Sequence, residues 1–282
     1  APVFMFLMGA SVAFSSRSSV RSLARRGVVL VAAGYLLNVF RGALPAELGL
    51  RAGVVTAEEI APFTPVWLLT TVDILPLAGL SIVVIAALSM VVRPGWTWLA
   101  VGAGVVIVAP LVRGVTDDIP VIGALMTPVW GGAPNVYYAL FPWLVYPLVG
   151  AVAGQRLAGA EDRARTMGAL GAVGVVGCIA GIALIAVTRP ALDVRTYWDN
   201  PPVLAFAILG FVLAWTWACD FLVRRLGDRG AMRLLQRAGR RVTSLYVIHW
   251  LIVGWGIGLV GFRALDLVPV LVAMTVVVGL TP

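Results

Sequence analysis

The sequence predicts an all-α protein, built as a polytopic transmembrane helical bundle. Hydrophobic residues make up 61% of its 282 residues and charged residues only 12%, about half the charged share of a typical soluble domain. Apolar runs of roughly 16–22 residues recur along the whole length, and a helix of that length crosses a bilayer. The net charge of +8 does not indicate nucleic acid, because most arginines lie in short connections between these runs.

Nine membrane spans are expected, as part of a protein with roughly ten or eleven. The chain begins without methionine inside one apolar run and ends inside another. We therefore expect a single transmembrane domain over 1–282, truncated at both ends. The Arg93-Pro94-Gly95 sequence ends the third span, because proline cannot continue a helix. The expected spans are 1–16, 27–42, 67–92, 96–112, 138–155, 167–188, 202–223, 243–262 and 266–282.

Arginines predict the orientation of these spans. Four of them, Arg17, Arg21, Arg25 and Arg26, lie between the first two apolar runs. Fifteen of the 21 basic residues lie in this connection and in every second one after it, whereas eight of the 13 acids lie in the opposite connections. Juxtamembrane arginine stays on the cytoplasmic side. We expect a multi-pass protein of the cell membrane whose 17–26 connection is cytoplasmic.

The longest basic connection, 224–241, is expected to be a cytoplasmic segment between two spans. Its arginines are interleaved with leucine, alanine and methionine, a pattern that favours an amphipathic helix on the inner leaflet. The same arginines could instead hold the phosphates of a cytosolic nucleotide. The sequence leaves both interpretations open.

Asp73 is an acidic residue well inside the expected span 67–92. An ionisable group in hydrocarbon costs a few kcal/mol or more, so it marks a functional site by default. Asp73 is therefore a candidate catalytic residue. The structural alternative is that Asp73 reaches the interface, or caps a helix that restarts before Pro76.

His249 is the only histidine and lies about two turns inside an apolar span. One histidine cannot build a metal site, and no Cys, His and Asp cluster has ligand spacing, so no metal is expected. Packing against a neighbouring helix is as good an interpretation of His249 as contact with a cofactor. Cys178 and Cys219 lie within or near the end of spans and do not suit a disulfide.

The connections expected on the outer face carry the other candidate residues. Aromatic rings together with Asp, Asn and Arg side chains could bind a sugar or another polar acceptor. The structural alternative is an aromatic belt at the membrane interface. Asn38, near the outer end of a span, could instead bond between helices. Arg113, Tyr137, Tyr197 and Trp198 lie in the same connections. The candidate substrate-binding residues are Asn38, Asp117, Asp118, Trp130, Asn135, Tyr138, Arg195, Asp199 and Asn200.

Short motifs follow one another in an order that is similar to one membrane protein family. They are PVFMFLMG at Pro2 to Gly9, RRG with GYLLN at Arg25 to Asn38, ILPLAGL at Ile74 to Leu80, FPW with two later glycines at Phe141 to Gly154, and a late histidine helix at Tyr246 to Trp250. The Asn200-Pro201-Pro202 start of a span is similar too. Over most of its length the chain resembles the heparan-alpha-glucosaminide N-acetyltransferase-like transmembrane acyltransferases and related bacterial membrane families.

The resemblance implies transfer of an acyl group, usually acetyl, from cytosolic acyl-CoA to an acceptor across the membrane. It places the catalytic histidine in an outer loop before the Pro2 helix, upstream of Ala1 and so not in this chain, and His249 does not replace it. Asp73 is then the catalytic candidate within the chain. The co-substrate would be acetyl-CoA, with its phosphates facing cytoplasmic arginines. The cofactor-binding candidates are Arg17, Arg21, Arg25, Arg26 and His249.

Three classes of function are compatible with these patterns. The first is a membrane-bound O- or N-acyltransferase acting on a glycan or similar envelope molecule. The alternative is a transporter or flippase of a polar lipid or small solute, which would show internal repeats, and no convincing repeat is found. The third is a scaffold whose basic face binds anionic lipid. Membrane lipids and a glycan or lipid-linked acceptor are the expected partners, nucleic acid is not, and homo-oligomerisation is left open.

Overall fold

The computed structural model describes residues 1–15, 19–115, 120–189, 193–227 and 241–262, with 230, 239, 268–269, 271–272 and 275 as isolated positions. The regular elements in these ranges are helices, which confirms the predicted all-α class. They are α1 (Pro2–Ala13), α2 (Val20–Asn38), α3 (Leu44–Arg51), α4 (Ala57–Ile60), α5 (Pro65–Leu69), α6 (Ile74–Val91), α7 (Trp96–Val112), α8 (Pro120–Trp130), α9 (Leu140–Trp143), α10 (Val145–Ala158), α11 (Arg163–Thr188), α12 (Val194–Asp199), α13 (Pro202–Leu226) and α14 (Val242–Val260). A π-helical turn, Val39–Ala43, joins α2 to α3.

Five helical stretches are long and apolar enough to cross a membrane: Val20–Ala52, Ile74–Val91, Arg163–Thr188, Pro202–Leu226 and Val242–Val260. Two shorter helices, α1 and α7, are also apolar. The protein is an integral membrane protein, as its composition predicts. The number of nine spans is not confirmed. The expected span 266–282 falls largely outside the described residues, as does most of the basic segment 224–241.

The helix α2 begins earlier than expected. It starts at Val20 rather than near 27, so Arg21, Arg25 and Arg26 lie in its first two turns and not in a turn between helices. Arginine, leucine and alanine are good helix formers, which explains why the basic stretch continues the helix. The expected polar connection 43–65 is also largely helical, because α3 extends the same helical stretch to Arg51.

The expected span 67–92 is wrong at its start. Residues 70–73 separate α5 from α6, and Asp73 is the N-cap of α6, where its Oδ1 accepts a hydrogen bond from the Ile74 backbone nitrogen at 2.7 Å. Pro76 suits the first turn of a helix, since the N–H that it lacks would have no intrahelical partner there. Asp73 therefore stands at a helix end rather than inside a span.

The chain divides into two compact units. Unit 1 comprises Ala1–Ala32 with Val72–Arg225, and unit 2 comprises Ala33–Thr71 with Leu226–Pro282. The expectation of one domain over 1–282 stays a prediction. Each unit is described by itself below.

The core of unit 1 is centred on the contact between α1 and α10. A Cβ on Gly150 would lie 2.0 Å from the Phe6 carbonyl oxygen, so the two backbones touch, as small residues allow between membrane helices. Trp98, Trp143 and Tyr146 are fully buried in the surrounding core cluster. This packing leaves almost no freedom for α1 to shift against α10.

Close backbone pairs define the helix directions in unit 1. They are Gly150 with Phe6, Gly154 with Ala10, Gly174 with Ala214 and Gly181 with Ala207. Helices α1 and α10 therefore run parallel, whereas α11 and α13 run antiparallel. Phe14, Leu157 and Arg224, near the ends of α1, α10 and α13, line one cavity together with Arg163 at the start of α11. The starts of α1, α10 and α13 therefore lie at the other end of the unit.

Unit 2 contains an equally close contact between α14 and the helical stretch that includes the π-helical turn. A Cβ on Gly254 would lie 1.7 Å from the Arg41 carbonyl oxygen, and one on Gly258 would lie 2.6 Å from the Pro45 oxygen. Glycine at these two positions is what lets α14 pack against this stretch.

Candidate functional site

Polar and aromatic side chains from several segments meet at one end of unit 1, which we call the aromatic end. The Val72 backbone nitrogen donates to the Asn135 carbonyl at 3.0 Å, and the nitrogens of Tyr137 and Tyr138 donate to the Val72 carbonyl at 3.1 and 3.2 Å. These bonds place Asp73, the next residue, beside the tyrosines. The aromatic end consists of Asp73, Arg113, Asn135, Tyr137, Tyr138, Trp143, Tyr146, Arg195, Tyr197, Trp198, Asp199 and Asn200.

Arg113 and Asp199 form the central ion pair of the aromatic end. Arg113 donates from Nη1 to the Asp199 carboxylate and from Nη2 to the Asp199 backbone carbonyl at 2.5 Å. Arg195 Nε lies 3.1 Å from the same carboxylate oxygen. Burial lowers the pKa of Arg113, an effect that Asp199 opposes, and arginine stays charged in proteins. The end of α7 is thereby tied to the end of α12.

Trp198 lies within a group of three tyrosine rings. Its ring centroid is 5.1 Å from that of Tyr137, 5.0 Å from that of Tyr138 and 4.9 Å from that of Tyr197, all edge to face. Its backbone carbonyl accepts a hydrogen bond from Trp143 Nε1 at 2.9 Å. Edge-to-face contacts favour a defined ring orientation. Trp198 is thus held in place while remaining half-buried.

The side chains of Tyr138 and Tyr197 are hydrogen-bonded to each other. Burial raises the pKa of Tyr138, and the neighbouring Tyr197 and Asp73 raise it further. Burial also raises the pKa of Tyr197, which the bond to Tyr138 partly offsets. Both phenols therefore keep their protons at neutral pH. They present hydroxyl groups, each able to donate and accept, close to the Asp73 carboxylate.

Asn200 connects the aromatic end to the core. Its side chain is fully buried, and its Oδ1 accepts a hydrogen bond from the Tyr146 hydroxyl at 3.1 Å. Its Nδ2 has no hydrogen-bond partner within the described part of the chain. Asn200 has a φ of 46°, a left-handed conformation that asparagine tolerates better than most residues. This conformation ends α12 and leads the chain into α13.

The structure brings six of the residues proposed from the sequence into the aromatic end: Asp73, Asn135, Tyr138, Arg195, Asp199 and Asn200. Trp130, also in unit 1, stacks on Phe141 with ring centroids 6.4 Å apart, and its Nε1 donates to the Val115 carbonyl at 2.9 Å. Asp117 and Asp118 lie outside the described residues.

Asn38 and His249 belong to unit 2. Asn38 Nδ2 donates to carbonyls at and after the end of α5, at 3.2 and 2.7 Å, and Asn38 Oδ1 accepts from Arg41 Nη2 at 3.0 Å. The Arg41 guanidinium lies 4.5 Å from the centroid of the Trp250 ring, and that ring lies 5.2 Å from the His249 ring. Asn38 thus bonds between helices, which is the structural alternative for this residue.

The arginines proposed for cofactor binding are exposed where they are described. Arg21, Arg25 and Arg26 project from the first turns of α2, and Arg17 lies outside the described residues. Within the described ranges, no group of three His, Cys, Asp or Glu side chains is placed to hold a metal ion.

The sequence interpretation did not include Trp143 and Tyr146 among the candidate residues. Both lie in an expected span, where a buried aromatic ring is most often part of the core. The available signal was the FPW motif, since Trp143 is its last residue and Tyr146 follows one turn later.

The fold and the aromatic end define an integral membrane protein that carries a cluster of polar and aromatic side chains at one end of a helical unit. Comparison with protein families matches residues 1–186 to the family described as heparan-alpha-glucosaminide N-acetyltransferase, catalytic. This match covers well over half of the chain, which therefore belongs to that family, as the motifs predict. Membership suggests membrane acetyltransferase activity. No curated protein and no solved structure gives a significant match.

Proposed function

We propose that the protein is a membrane-bound acyltransferase that moves an acetyl group from cytosolic acetyl-CoA to a glycan or similar acceptor on the extracytoplasmic side. The family match over residues 1–186 carries the proposal. The matched region includes α1 to α10, most of α11, and the residues of the aromatic end up to Tyr146. The aromatic end is the proposed acceptor site.

The chemistry of the aromatic end suits a sugar. A sugar ring offers a C–H face that packs on aromatic rings and a rim of hydroxyl or amino groups that need hydrogen bonds. Trp198 and its tyrosines supply the rings, and Arg195, Asp199 and Asp73 supply charged donors and acceptors. A few placed polar groups in a largely apolar lining are typical of small-molecule sites.

The proposed reaction is attack by an acceptor nitrogen or oxygen on the thioester carbonyl carbon of acetyl-CoA. The new bond forms as the carbon–sulfur bond breaks, the acceptor loses a proton, and coenzyme A leaves as its thiol. General bases need an orienting partner. We propose that the Asp73 carboxylate accepts this proton directly, or that it orients a histidine, from a segment preceding the Pro2 helix, that accepts it. The start of the Pro2 helix lies at the aromatic end.

The donor side of the proposal rests on the sequence. The exposed arginines Arg21, Arg25 and Arg26, together with Arg17, are proposed to attract the CoA phosphates from the cytoplasm. His249 as a cofactor contact, and Asn38, Asp117, Asp118 and Trp130 as acceptor contacts, stay predictions.

The experiment is an acetyl-transfer assay with the purified full-length protein, radiolabelled acetyl-CoA and amino-sugar acceptors, with thiol release measured in parallel. Asp73→Asn is expected to lower kcat by about 10²–10⁴-fold, the range for loss of general-base catalysis. Glu58→Gln, which changes an exposed acid in unit 2, is the matched control and should keep full activity. Wild-type protein that transports a solute without acetylating any acceptor would contradict the proposal.

A further inference from the structure

A cavity lies at the opposite end of unit 1, between α1, α10, α11 and α13. Its volume is about 270 Å³. We call it the basic-end slot and define it by Phe6, Arg163, Met167, Leu213, Asp220 and Arg224, which belong to its lining. None of these residues takes part in the aromatic end.

The basic-end slot is elongated and changes character along its length. On α13 the lining residues Leu213, Asp220 and Arg224 fall on one face, because positions three or four apart are neighbours on a helix. From Leu213 to Arg224 the helix rises about 16 Å. Phe6 and Leu213 make the deep part apolar, whereas the arginines and Asp220 stand at its mouth.

The mouth of the slot carries a positive charge that no acid within the described ranges pairs. Arg224 Nε binds Asp220 at 2.8 Å. Arg163 makes no ion pair with any described acid, and the adjacent Asp162 is engaged as the N-cap of α11, where it accepts from the Arg165 backbone nitrogen at 2.9 Å. Arg163 is the first residue of α11, where the helix dipole also favours an anion.

The slot also opens sideways. Two further lining residues, Leu7 and Phe14, are 48% and 55% exposed. In an integral membrane protein, exposed apolar side chains on a helix flank contact the lipid hydrocarbon. A ligand can therefore enter from the bilayer without crossing water.

We propose that the basic-end slot binds one anionic glycerophospholipid, with an acyl chain along Phe6, Met167 and Leu213 and its phosphate on Arg163. The apolar lining separates the acyl chain from other lipids and holds it in place. The guanidinium of Arg163 donates charge-assisted hydrogen bonds to the lipid phosphate. Basic pockets between transmembrane helices bind anionic head groups in this way. The lateral opening favours a lipid over a water-soluble anion. This site does not depend on the proposed acetyl transfer.

The test is native mass spectrometry of the full-length protein, delipidated in detergent and titrated with phosphatidylglycerol or phosphatidylcholine of equal chain length. One phosphatidylglycerol should bind about tenfold more tightly than phosphatidylcholine, a difference worth about 1.4 kcal/mol. Arg163→Gln should lose that preference, and Arg163→Lys should keep most of it. Arg165→Gln removes a nearby exposed arginine that is outside the lining, and should bind as the wild type does.

Several outcomes would overturn the proposal. Equal affinity for the two lipids would remove the role of the headgroup's net negative charge, and an equal loss of affinity in Arg165→Gln would reduce that role to nonspecific attraction. Met167→Trp fills the apolar part, so undiminished binding in a folded Met167→Trp protein would show that the acyl chain lies elsewhere. Displacement of the lipid by acetyl-CoA, mole for mole, would assign the slot to the donor instead.

Discussion

Arg113 at the end of α7 holds Asp199 at the end of α12, through one bond to its carboxylate and another to its backbone carbonyl. The residues are 86 positions apart, and their side chains are only 21% and 29% exposed. The pair therefore fixes α12, and with it Trp198, against the bundle.

Loss of Arg113 should destabilise the protein and disorder the aromatic end. Arg113→Gln leaves the partly buried Asp199 without its main partner, so a thermal unfolding assay in detergent should show a cost of about 1–3 kcal/mol. In a double-mutant cycle with Asp199→Asn, the coupling energy should be about 0.5–3 kcal/mol. Arg195→Gln is the control, because its more exposed bond to Asp199 within α12 contributes about 0.5 kcal/mol or less. Equal effects of the two arginines would contradict this assignment.

Removal of the Tyr146 hydroxyl should cost stability without changing the shape of the core. Tyr146→Phe leaves the buried Asn200 Oδ1 without its donor, a penalty of about 1–3 kcal/mol that chemical denaturation should detect. Tyr35→Phe is the matched control, since it removes the hydroxyl of a half-buried tyrosine that belongs to unit 2, and the stability of this variant should be unchanged. If both variants unfold like the wild type, the Tyr146–Asn200 bond has no energetic role.

A methyl group on Gly150 should not be tolerated between α1 and α10. The added Cβ would lie 2.0 Å from the Phe6 carbonyl oxygen, so Gly150→Ala forces backbone movement and should cost about 1–3 kcal/mol or more. Gly104→Ala on α7 adds the same methyl group where nothing lies within 4 Å, and should be neutral or slightly stabilising. The midpoints of thermal unfolding check both. Similar midpoints for the two variants would show that α1 and α10 are not in contact.

The cap of α12 should depend on pH. Hydrogen bonds from the Thr196 side chain and backbone lower the pKa of Asp193 below its usual 3.8. A depressed carboxylate pKa stabilises the folded state above the unfolded value and loses that effect as pH falls through the folded pKa. Wild type should therefore unfold at a higher temperature than Asp193→Ala at neutral pH, and the difference should shrink below about pH 3.8. A difference that grows on acidification would have the wrong sign.

Local sequence signals predicted some elements closely. The helix α7 occupies Trp96–Val112, which is the expected span 96–112. The prediction succeeds because Arg93, Pro94 and Gly95 end the preceding helix and leave Trp96 as the next helical residue. Asp199 and Asn200 were recognised as candidates because they lie beside aromatic residues and an arginine in a connection expected on the outer face. These features depend on residues that are neighbours in the chain.

Other features depend on tertiary structure, which local patterns do not contain. Asp73 lies in an apolar run that continues on both sides, so hydropathy could not show that the helix breaks there. The ion pair between Arg113 and Asp199 depends on how α7 and α12 meet. Tyr146 was overlooked because its partner, Asn200, lies 54 positions away.

The most direct test of the central claim, that the aromatic end is the acceptor site, is a steady-state measurement of KM for both substrates in Trp198→Leu. By analogy with nucleic-acid bases, whose stacking on one aromatic ring is worth about 1–3 kcal/mol, the loss of the aromatic face should raise KM for the sugar acceptor about tenfold. It should leave KM for acetyl-CoA unchanged. A raised KM for acetyl-CoA with an unchanged acceptor KM would place the acceptor elsewhere and contradict the claim.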